Sequence, residues 1–277
     1  MASETTRPQA ETRTITARGQ RLRVAIRKGD GTRTPLLLMN GLGVNLEVLQ
    51  PFVDALDPAY EVIRFDVPGT GGSPAPRIPY RFSAHARLVR EMLDQLGYQQ
   101  VDVLGISWGG ALAQQFAYQY PMRCRRLILV STGTGALMVP ARPSVVAKMA
   151  TPRRYQDPAH MVQIAGEIYG GKVRTQPELA HDFARSVRSG GSRGYFYQLL
   201  GGVGWTSIRW LRKLQQPTLI LHGDDDPLVP LVNAKIMHRL IPNSQLYIFH
   251  DGHLGLGTSA KELAQVVDRF LTAPPLK

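Results

Sequence analysis

One turn constrains the fold of this chain more than any other segment. The residues Gly105-Ile106-Ser107-Trp108-Gly109 follow the apolar run 101–104 and precede the helix-forming stretch 111–118. A serine between two such glycines is typical of a sharp strand-to-helix turn, in which strained backbone angles lift the hydroxyl clear of the sheet. A side chain at either glycine would collide with the neighbouring strand or helix. The pattern therefore predicts a nucleophilic serine, Ser107, at the carboxyl end of a buried strand.

The same turn predicts a donor for an oxyanion. The Trp108 N–H follows the serine at the positive end of a helix dipole, where an oxyanion-hole contact is expected. The second donor is expected from the loop Asn40-Gly41-Leu42-Gly43, which follows the apolar run 35–39 and lets the backbone approach a substrate closely. The Leu42 N–H is the candidate for that donor.

Short apolar runs alternate with helical spacing along most of the chain. A first pair of runs, 12–17 and 21–27, is joined by turn residues and predicts antiparallel strands. The later runs are continuously apolar, as in strands that are covered on both faces. This alternation predicts the α/β class, with a mostly parallel, doubly wound sheet and right-handed crossovers. The later strands are predicted at 35–39, 61–65, 101–104, 126–130, 217–221 and 245–249, and helices at 84–96, 111–118 and 261–271.

The alternation stops between residues 134 and 215, where aromatic residues and glycine are frequent. We expect this segment to form a helical cap, inserted into a core made of residues 12–133 and 216–277, with residues 1–11 as a flexible tail. The segment 134–215 carries twelve Lys and Arg against four Asp and Glu, a net +8 of the +12 of the whole chain. This charge indicates either attraction to an acidic surface or anionic product, or simply a solvated face.

Composition excludes several classes of function. No apolar run approaches the roughly 20 residues that span a bilayer, and the polar N-terminus lacks the apolar core of a signal peptide. The single cysteine, Cys124, excludes an intrachain disulfide, is compatible with a reducing cytosol and is expected to be structural. The basic residues form neither a dense run nor a recognisable reading helix, which argues against nucleic acid as a partner. We expect a soluble, cytoplasmic protein.

A serine nucleophile needs a base within hydrogen-bond reach and a third group that orients the base. Among the seven histidines, His253 is the preferred base because it lies in the loop after the last strand. His222 and His250 lie at strand ends, and spacing does not exclude either of them as the base. The acid is expected in the run Asp224-Asp225-Asp226, and the residues alone do not choose among the three. The order serine, aspartate, histidine is the one typical of α/β-hydrolases. The other four histidines lie in predicted helices: His85, His160, His181 and His238.

Several longer segments carry a family resemblance. The turn at Ser107, the glycine-rich segment 66–73 and Asp251-Gly252-His253 resemble the α/β-hydrolase superfamily. Over nearly its whole length the chain is similar to the intracellular medium-chain-length polyhydroxyalkanoate depolymerases. This narrower likeness lies in Asn40-Gly41 and in the segments 105–116, 152–155, 187–191 and 204–208.

The resemblance implies a catalytic triad of Ser107, Asp226 and His253, with no metal and no organic cofactor. It implies hydrolysis of a storage polyester through an acyl-enzyme, release of 3-hydroxyalkanoic acids, and the granule surface as a site of contact. The chain departs from the family at Gly255 and Gly257, where bulkier apolar residues are expected, so the pocket near the base is expected to differ in width.

Two other functions compete with this hypothesis. A general carboxylesterase or lipase would use the same machinery on small or lipid esters. A noncatalytic, hydrolase-like binding protein would use the pocket without turnover. Such proteins usually lack a triad member, and this chain has all three.

Overall fold

A computed structural model describes residues 10–150, 153–187 and 191–274. Within these residues, eight strands form one sheet in the order β1-β2-β4-β3-β5-β6-β7-β8. The strand β2 is antiparallel to β1 and β4, and all other pairs are parallel. The predicted α/β class and mostly parallel sheet are confirmed. The strands are β1 (Glu11–Ala17), β2 (Gln20–Arg27), β3 (Leu36–Met39), β4 (Val62–Phe65), β5 (Val101–Ile106), β6 (Cys124–Val130), β7 (Thr218–Gly223) and β8 (Ser244–Phe249).

The helices cover both faces of the sheet. One buried apolar cluster joins α2, α3 and α10 to one face, and another joins α1 and α12 to the other face. The helices outside the 134–215 segment are α1 (Gln50–Ala55), α2 (Phe82–Gln95), α3 (Trp108–Gln119), α10 (Val232–Leu240), α11 (Gly255–Thr258) and α12 (Ala260–Thr272). The doubly wound arrangement follows from these two clusters.

Six further helices lie between β6 and β7 in the described part of the chain. They share a small apolar cluster of their own, centred on α6. We call residues 134–215 the insertion; its boundaries as a domain stay a prediction. The helices are α4 (Pro143–Met149), α5 (Arg153–Gln156), α6 (Pro158–Tyr169), α7 (Gly171–Thr175), α8 (Pro177–Ser186) and α9 (Ser192–Gly202).

The first hairpin shows how local sequence sets the sheet edge. Arg18 and Gly19 have φ values of +51° and +75°, which is the backbone that a tight two-residue turn between antiparallel strands requires. The strand β1 begins at Glu11, so one residue of the predicted tail belongs to the sheet. Residues 1–9 of that tail lie outside the described residues.

Candidate active site

Ser107 forms the turn between β5 and α3. Its φ of +54° and ψ of −119° are strained for a residue with a side chain. The Ser107 N–H donates to the Val130 carbonyl oxygen, and the Gly110 N–H donates to the Ser107 carbonyl oxygen, both at 2.9 Å. The Ser107 Oγ is buried and has no hydrogen-bond partner among the described residues. The neighbouring strand and helix therefore hold a strained serine whose hydroxyl is not engaged elsewhere.

The two flanking glycines permit close backbone contacts. A Cβ at Gly105 would lie 2.3 Å from the carbonyl oxygen of Gly109, and a Cβ at Gly109 would lie 2.1 Å from that of Met39. Both distances are too short for any side chain. The steric reason that the sequence predicts for these glycines is confirmed.

His253 and Asp226 form a buried pair at the carboxyl ends of β8 and β7. The His253 Nδ1 donates to Asp226 Oδ2 at 2.8 Å, so Nε2 is the ring nitrogen left to act as a base. The other carboxylate oxygen, Oδ1, accepts from the N–H groups of Leu228 and Val229 at 3.0 and 2.8 Å. His253 and Ser107 line the same cavity, although no hydrogen bond joins them in this structure. Such bonds are often long in the absence of substrate and tighten in the substrate complex.

Each acid of the Asp224-Asp225-Asp226 run has a different partner. Asp224 pairs with His250, whose side chain is 98% exposed. Asp225 Oδ2 accepts from the Gly171 N–H of the insertion at 2.8 Å and forms an ion pair with Arg174. Asp226 is the acid whose carboxylate contacts the imidazole of His253. The structure thus distinguishes three residues that the sequence pattern left equivalent.

His222, the other histidine left open, supports the acid. It is fully buried in β7, and its Nε2 donates to the Val229 carbonyl oxygen at 2.8 Å while lying 3.7 Å from Asp226 Oδ2. Burial lowers the pKa of His222 below its ordinary value, so the ring is neutral at physiological pH. Sequence reasoning missed this role, although the position of His222 at the end of a strand was a usable signal.

The two predicted oxyanion donors lie on either side of Ser107. Leu42 lines the cavity, and its neighbour Gly41 is close enough that a Cβ there would lie 3.7 Å from the Ser107 Cβ. Trp108 is the first residue of α3, so its N–H has no acceptor within the helix. A residue that sequence analysis missed, Gln198, contacts both segments: the Gly43 N–H donates to its Oε1 at 3.0 Å, and the Trp108 Nε1–H to its carbonyl oxygen at 3.1 Å.

Asp66 shapes the glycine-rich segment 66–73 instead of facing the cavity. Its carboxylate accepts from the N–H groups of Leu46 and Gly72 at 2.8 and 2.7 Å and pairs with Arg23. Burial raises the pKa of Asp66, and these partners oppose the rise. Asp66 therefore stabilises the turn of this segment.

The cavity beside Ser107 has a volume of about 510 Å³ and is lined by both the core and the insertion. Three carboxylates, those of Glu47, Asp54 and Asp182, also lie on its wall, whereas none of the described lining residues is Lys or Arg. The positive charge of the insertion therefore faces elsewhere, which favours a solvated face over attraction of an anion to the site. The apolar lining comes from Leu42, Val44, Val48, Leu49, Met149, Leu179, Leu228, Leu254 and Leu256.

Four aromatic residues of the insertion fall into two groups. Tyr169 and Phe183 line the cavity and contact each other edge to face. Trp205 and Trp210 instead pack against the sheet core. The side chain of Tyr155 lies outside the described part of the structure, as do residues 151–152 and 188–190, so the family segments 152–155 and 187–191 are seen only in part.

Among the residues that the structure describes, no group of three or more His, Cys, Asp or Glu side chains is arranged to hold a metal ion. Among those same residues, no helix has the length and apolar character needed to cross a membrane.

A strained serine after the central parallel strand, followed in the chain by an acid and a histidine at the ends of later strands, is the arrangement of α/β-hydrolases. The family model described as "alpha/beta hydrolase fold" matches residues 34–259. The chain is 56% identical over 259 residues to the poly(3-hydroxyalkanoate) depolymerase of Ectopseudomonas oleovorans, covering 94% of this chain and 92% of that relative. The chain therefore belongs to the α/β-hydrolase family and, within it, to the family of that depolymerase, and the resemblance inferred from the sequence is confirmed.

Solved structures agree on the fold. A hydrolase from Pseudomonas aeruginosa superimposes with a TM-score of 0.81 at 21% identity and covers 95% of this chain and 99% of its own. The enol-lactonase from Burkholderia xenovorans superimposes with a TM-score of 0.80 at 20% identity and covers 94% of this chain and 100% of its own. These likenesses concern the fold alone.

Proposed function

We propose that this protein hydrolyses ester bonds of a poly(3-hydroxyalkanoate) and releases 3-hydroxyalkanoic acids. The observation that carries the proposal is that Ser107 and the paired His253 line one large apolar cavity. The depolymerase relative, similar over nearly the whole chain, supports a polyester as the substrate class.

The reaction proceeds through an acyl-enzyme. His253 Nε2 takes the proton of Ser107 Oγ as that oxygen attacks the ester carbonyl carbon, and the N–H groups of Leu42 and Trp108 stabilise the oxyanion. The protonated His253 then gives its proton to the departing alkoxide as the ester C–O bond breaks. Water, deprotonated by His253, attacks the acyl carbon, the bond from that carbon to Ser107 Oγ breaks, and His253 returns the proton to Oγ as the acid leaves. Asp226 holds the Nδ1–H tautomer of the imidazole throughout.

The charges on the cavity wall favour entry of a neutral substrate and release of an anionic product. Burial raises the pKa of Glu47, but hydrogen bonds from Arg23 and Asn45 outweigh that effect and lower it to about 2, so the group is ionised at neutral pH. Glu47 is paired with Arg23 and Asp182 with Arg185, which compensates these two charges, so a newly formed carboxylate product is repelled mainly by Asp54, whereas a neutral ester is not. This asymmetry favours release of the product.

We also propose that the insertion is a cap that contacts the polymer surface, in the cytoplasm and on storage granules. Phe196, Leu200 and Val203 lie on and just after α9, and each is between 44% and 62% exposed. Ile78, 66% exposed, lies in a loop that α9 contacts through a hydrogen bond from Arg193 to the Arg77 carbonyl oxygen. We call these four residues the α9 patch. Exposed apolar side chains of this kind favour association with an apolar surface.

Turnover of a polyester dispersion, compared with that of soluble nitrophenyl esters, tests the proposal. We expect 3-hydroxyalkanoic acids to be released by the wild type and not by Ser107→Ala. Hydrolysis of the short esters alone would favour a general carboxylesterase, and binding of ligands without any turnover would favour a noncatalytic protein.

A double variant tests the surface contact. Phe196→Gln with Leu200→Gln should slow release from the dispersion about tenfold, because two exposed apolar side chains no longer contact the polymer. The rate on soluble esters should stay within about twofold of the wild type, since neither side chain lines the cavity. Equal losses on both substrates would contradict a role in surface contact.

A further inference from the structure

Gln198 bridges the two segments that carry the proposed oxyanion donors. It lies on α9 of the insertion and is 1% exposed. Its side-chain Oε1 accepts from the Gly43 N–H, which belongs to the peptide unit that follows Leu42. Its backbone carbonyl oxygen accepts from the indole Nε1 of Trp108. One residue of the insertion thus contacts both sides of the site.

The bond to Gly43 restrains the peptide planes around Leu42. Gly43 has a φ of +73°, which glycine adopts readily because it has no Cβ. The same lack of a side chain leaves the backbone of the loop able to rotate at this residue. An oxyanion donor must point to the place where the charge develops, so a small rotation of the Leu42 amide weakens its contribution. The side chain of Gln198 limits that rotation from outside the loop.

Packing alone does not account for a glutamine at this position. The Gln198 Nε2 is buried and has no partner among the described residues. A buried donor without a partner lowers stability, and an apolar side chain of similar size would avoid this loss. The acceptor oxygen, which bonds the loop, is therefore the useful part of this amide.

We propose that Gln198 is a positioning residue for the oxyanion hole, through which the insertion orients the Leu42 amide and also holds the indole of Trp108. This inference rests on the proposed function, because it requires an ester carbonyl at Ser107. The insertion would then take part in the chemical step as well as contact the substrate.

The test compares two variants of Gln198 on a soluble nitrophenyl ester. Gln198→Leu removes the acceptor, and we expect kcat to fall about 30-fold with KM within about twofold, less than the roughly 10²–10³ lost with an oxyanion donor itself. Gln198→Glu keeps an acceptor oxygen but adds a negative charge near the oxyanion, so its kcat should lie between those of Gln198→Leu and the wild type. Affinity for an alkyl boronic acid, whose tetrahedral serine adduct occupies the oxyanion hole, should fall in parallel with kcat.

Gln216→Leu is the matched control. Gln216 is also buried and also bonds backbone carbonyl oxygens, those of Ala117 and Pro121, but it precedes β7 at the opposite end of the sheet from Ser107. Its kcat should match the wild type. If Gln198→Leu does not fold, Gln198→Asn serves instead, because its amide is too short by one methylene to keep the Gly43 bond, and the same loss is expected.

The outcomes separate the two proposals. An active wild type with unchanged kcat and boronate affinity in Gln198→Leu overturns the positioning role alone. A raised KM with unchanged kcat in that variant also overturns it, since it assigns Gln198 to substrate binding. A wild type that hydrolyses no ester overturns the proposed function and this inference together.

Discussion

The backbone N–H of His253 donates to the carbonyl oxygen of Tyr169 at 2.7 Å, and their rings stack with centroids 6.1 Å apart. Tyr169 is the last residue of α6, and the next residue, Gly170, has a φ of +64°. A Cβ at Gly170 would lie 2.1 Å from the carbonyl oxygen of Asp225, so the end of α6 fits closely against the loop of the acids as well. The insertion therefore supports the loops of both the proposed base and the proposed acid.

Asp251 joins the histidine loop to the insertion. Its substitution should lower both the stability of the fold and the rate of ester hydrolysis. Its Oδ1 accepts from the Lys172 N–H at 2.9 Å, and its Oδ2 accepts from the hydroxyls of Thr258 and Ser259 at 2.6 and 2.7 Å. Asp251→Ala leaves these donors unpaired, which should lower the free energy of unfolding by about 2–4 kcal/mol. We also expect kcat on a nitrophenyl ester to fall about tenfold, because His253 lies two residues away.

Urea unfolding and ester kinetics measure the two effects. Asp224→Ala is the control, because it removes a carboxylate from a neighbouring loop whose partner, His250, is exposed. Its free energy of unfolding should change by less than about 1 kcal/mol. Similar losses in the two variants would contradict the role assigned to Asp251.

The carboxylate of Asp251 should also make the stability of the fold depend on pH. Burial raises the pKa of Asp251, but hydrogen bonds from Thr258 and Ser259 and from backbone amides outweigh it, and the net pKa lies below the ordinary value. A carboxyl with a lower pKa in the folded state stabilises the fold above its unfolded pKa of about 3.9, and this stabilisation is lost as the pH falls through the folded pKa. The difference in free energy of unfolding between wild type and Asp251→Asn should be constant from about pH 5 to 7 and shrink below about pH 4. A difference that grows on acidification would contradict this assignment.

Three neighbouring substitutions test the choice of acid. Asp226→Asn should lower kcat about 10⁴-fold, because an amide at this position no longer fixes the tautomer and charge of the His253 imidazole. Asp224→Asn and Asp225→Asn make the same change in charge at adjacent positions, and their kcat values should stay within about tenfold of wild type. Nitrophenyl ester kinetics, with circular dichroism to check folding, separate the three. A larger loss at Asp225 than at Asp226 would reverse the assignment.

The sheet could be predicted because its signals are local. The strand β5 is a continuous buried run, and the glycines around Ser107 require a turn whatever follows in the chain. The helices α1 and α10 were missed for an equally local reason. Gln50–Ala55 has only six residues, with a proline at its second position, and Val232–Leu240 has nine and lacks a preceding turn motif such as the one at Ser107.

The polar network of the site could be predicted only in part. Ser107, Asp226 and His253 each follow a strand within a recognisable motif, and parallel strands bring such loops to one edge of the sheet. Gln198 has no motif, since its bond to Gly43 joins residues 155 positions apart and depends on how α9 packs. A contact of that kind follows from tertiary structure, which no period in the sequence encodes.

Gly257 should control the length of acyl chain that the cavity accepts. It lines the cavity, and a Cβ there would meet nothing within 4 Å, whereas a Cβ at Gly255 would lie 2.1 Å from the Phe249 ring. Of the two glycines where bulkier apolar residues were expected, therefore, Gly257 leaves open space in the pocket and Gly255 is required by packing. Gly257→Leu should fill part of that space and lower kcat/KM for octanoyl esters about 10- to 100-fold, while butanoyl esters stay within about threefold. Gly257→Ala should give an intermediate loss, and a series of nitrophenyl esters of increasing length measures all three proteins. An equal loss on short and long esters would show that the substitution disturbs His253 instead of the acyl pocket.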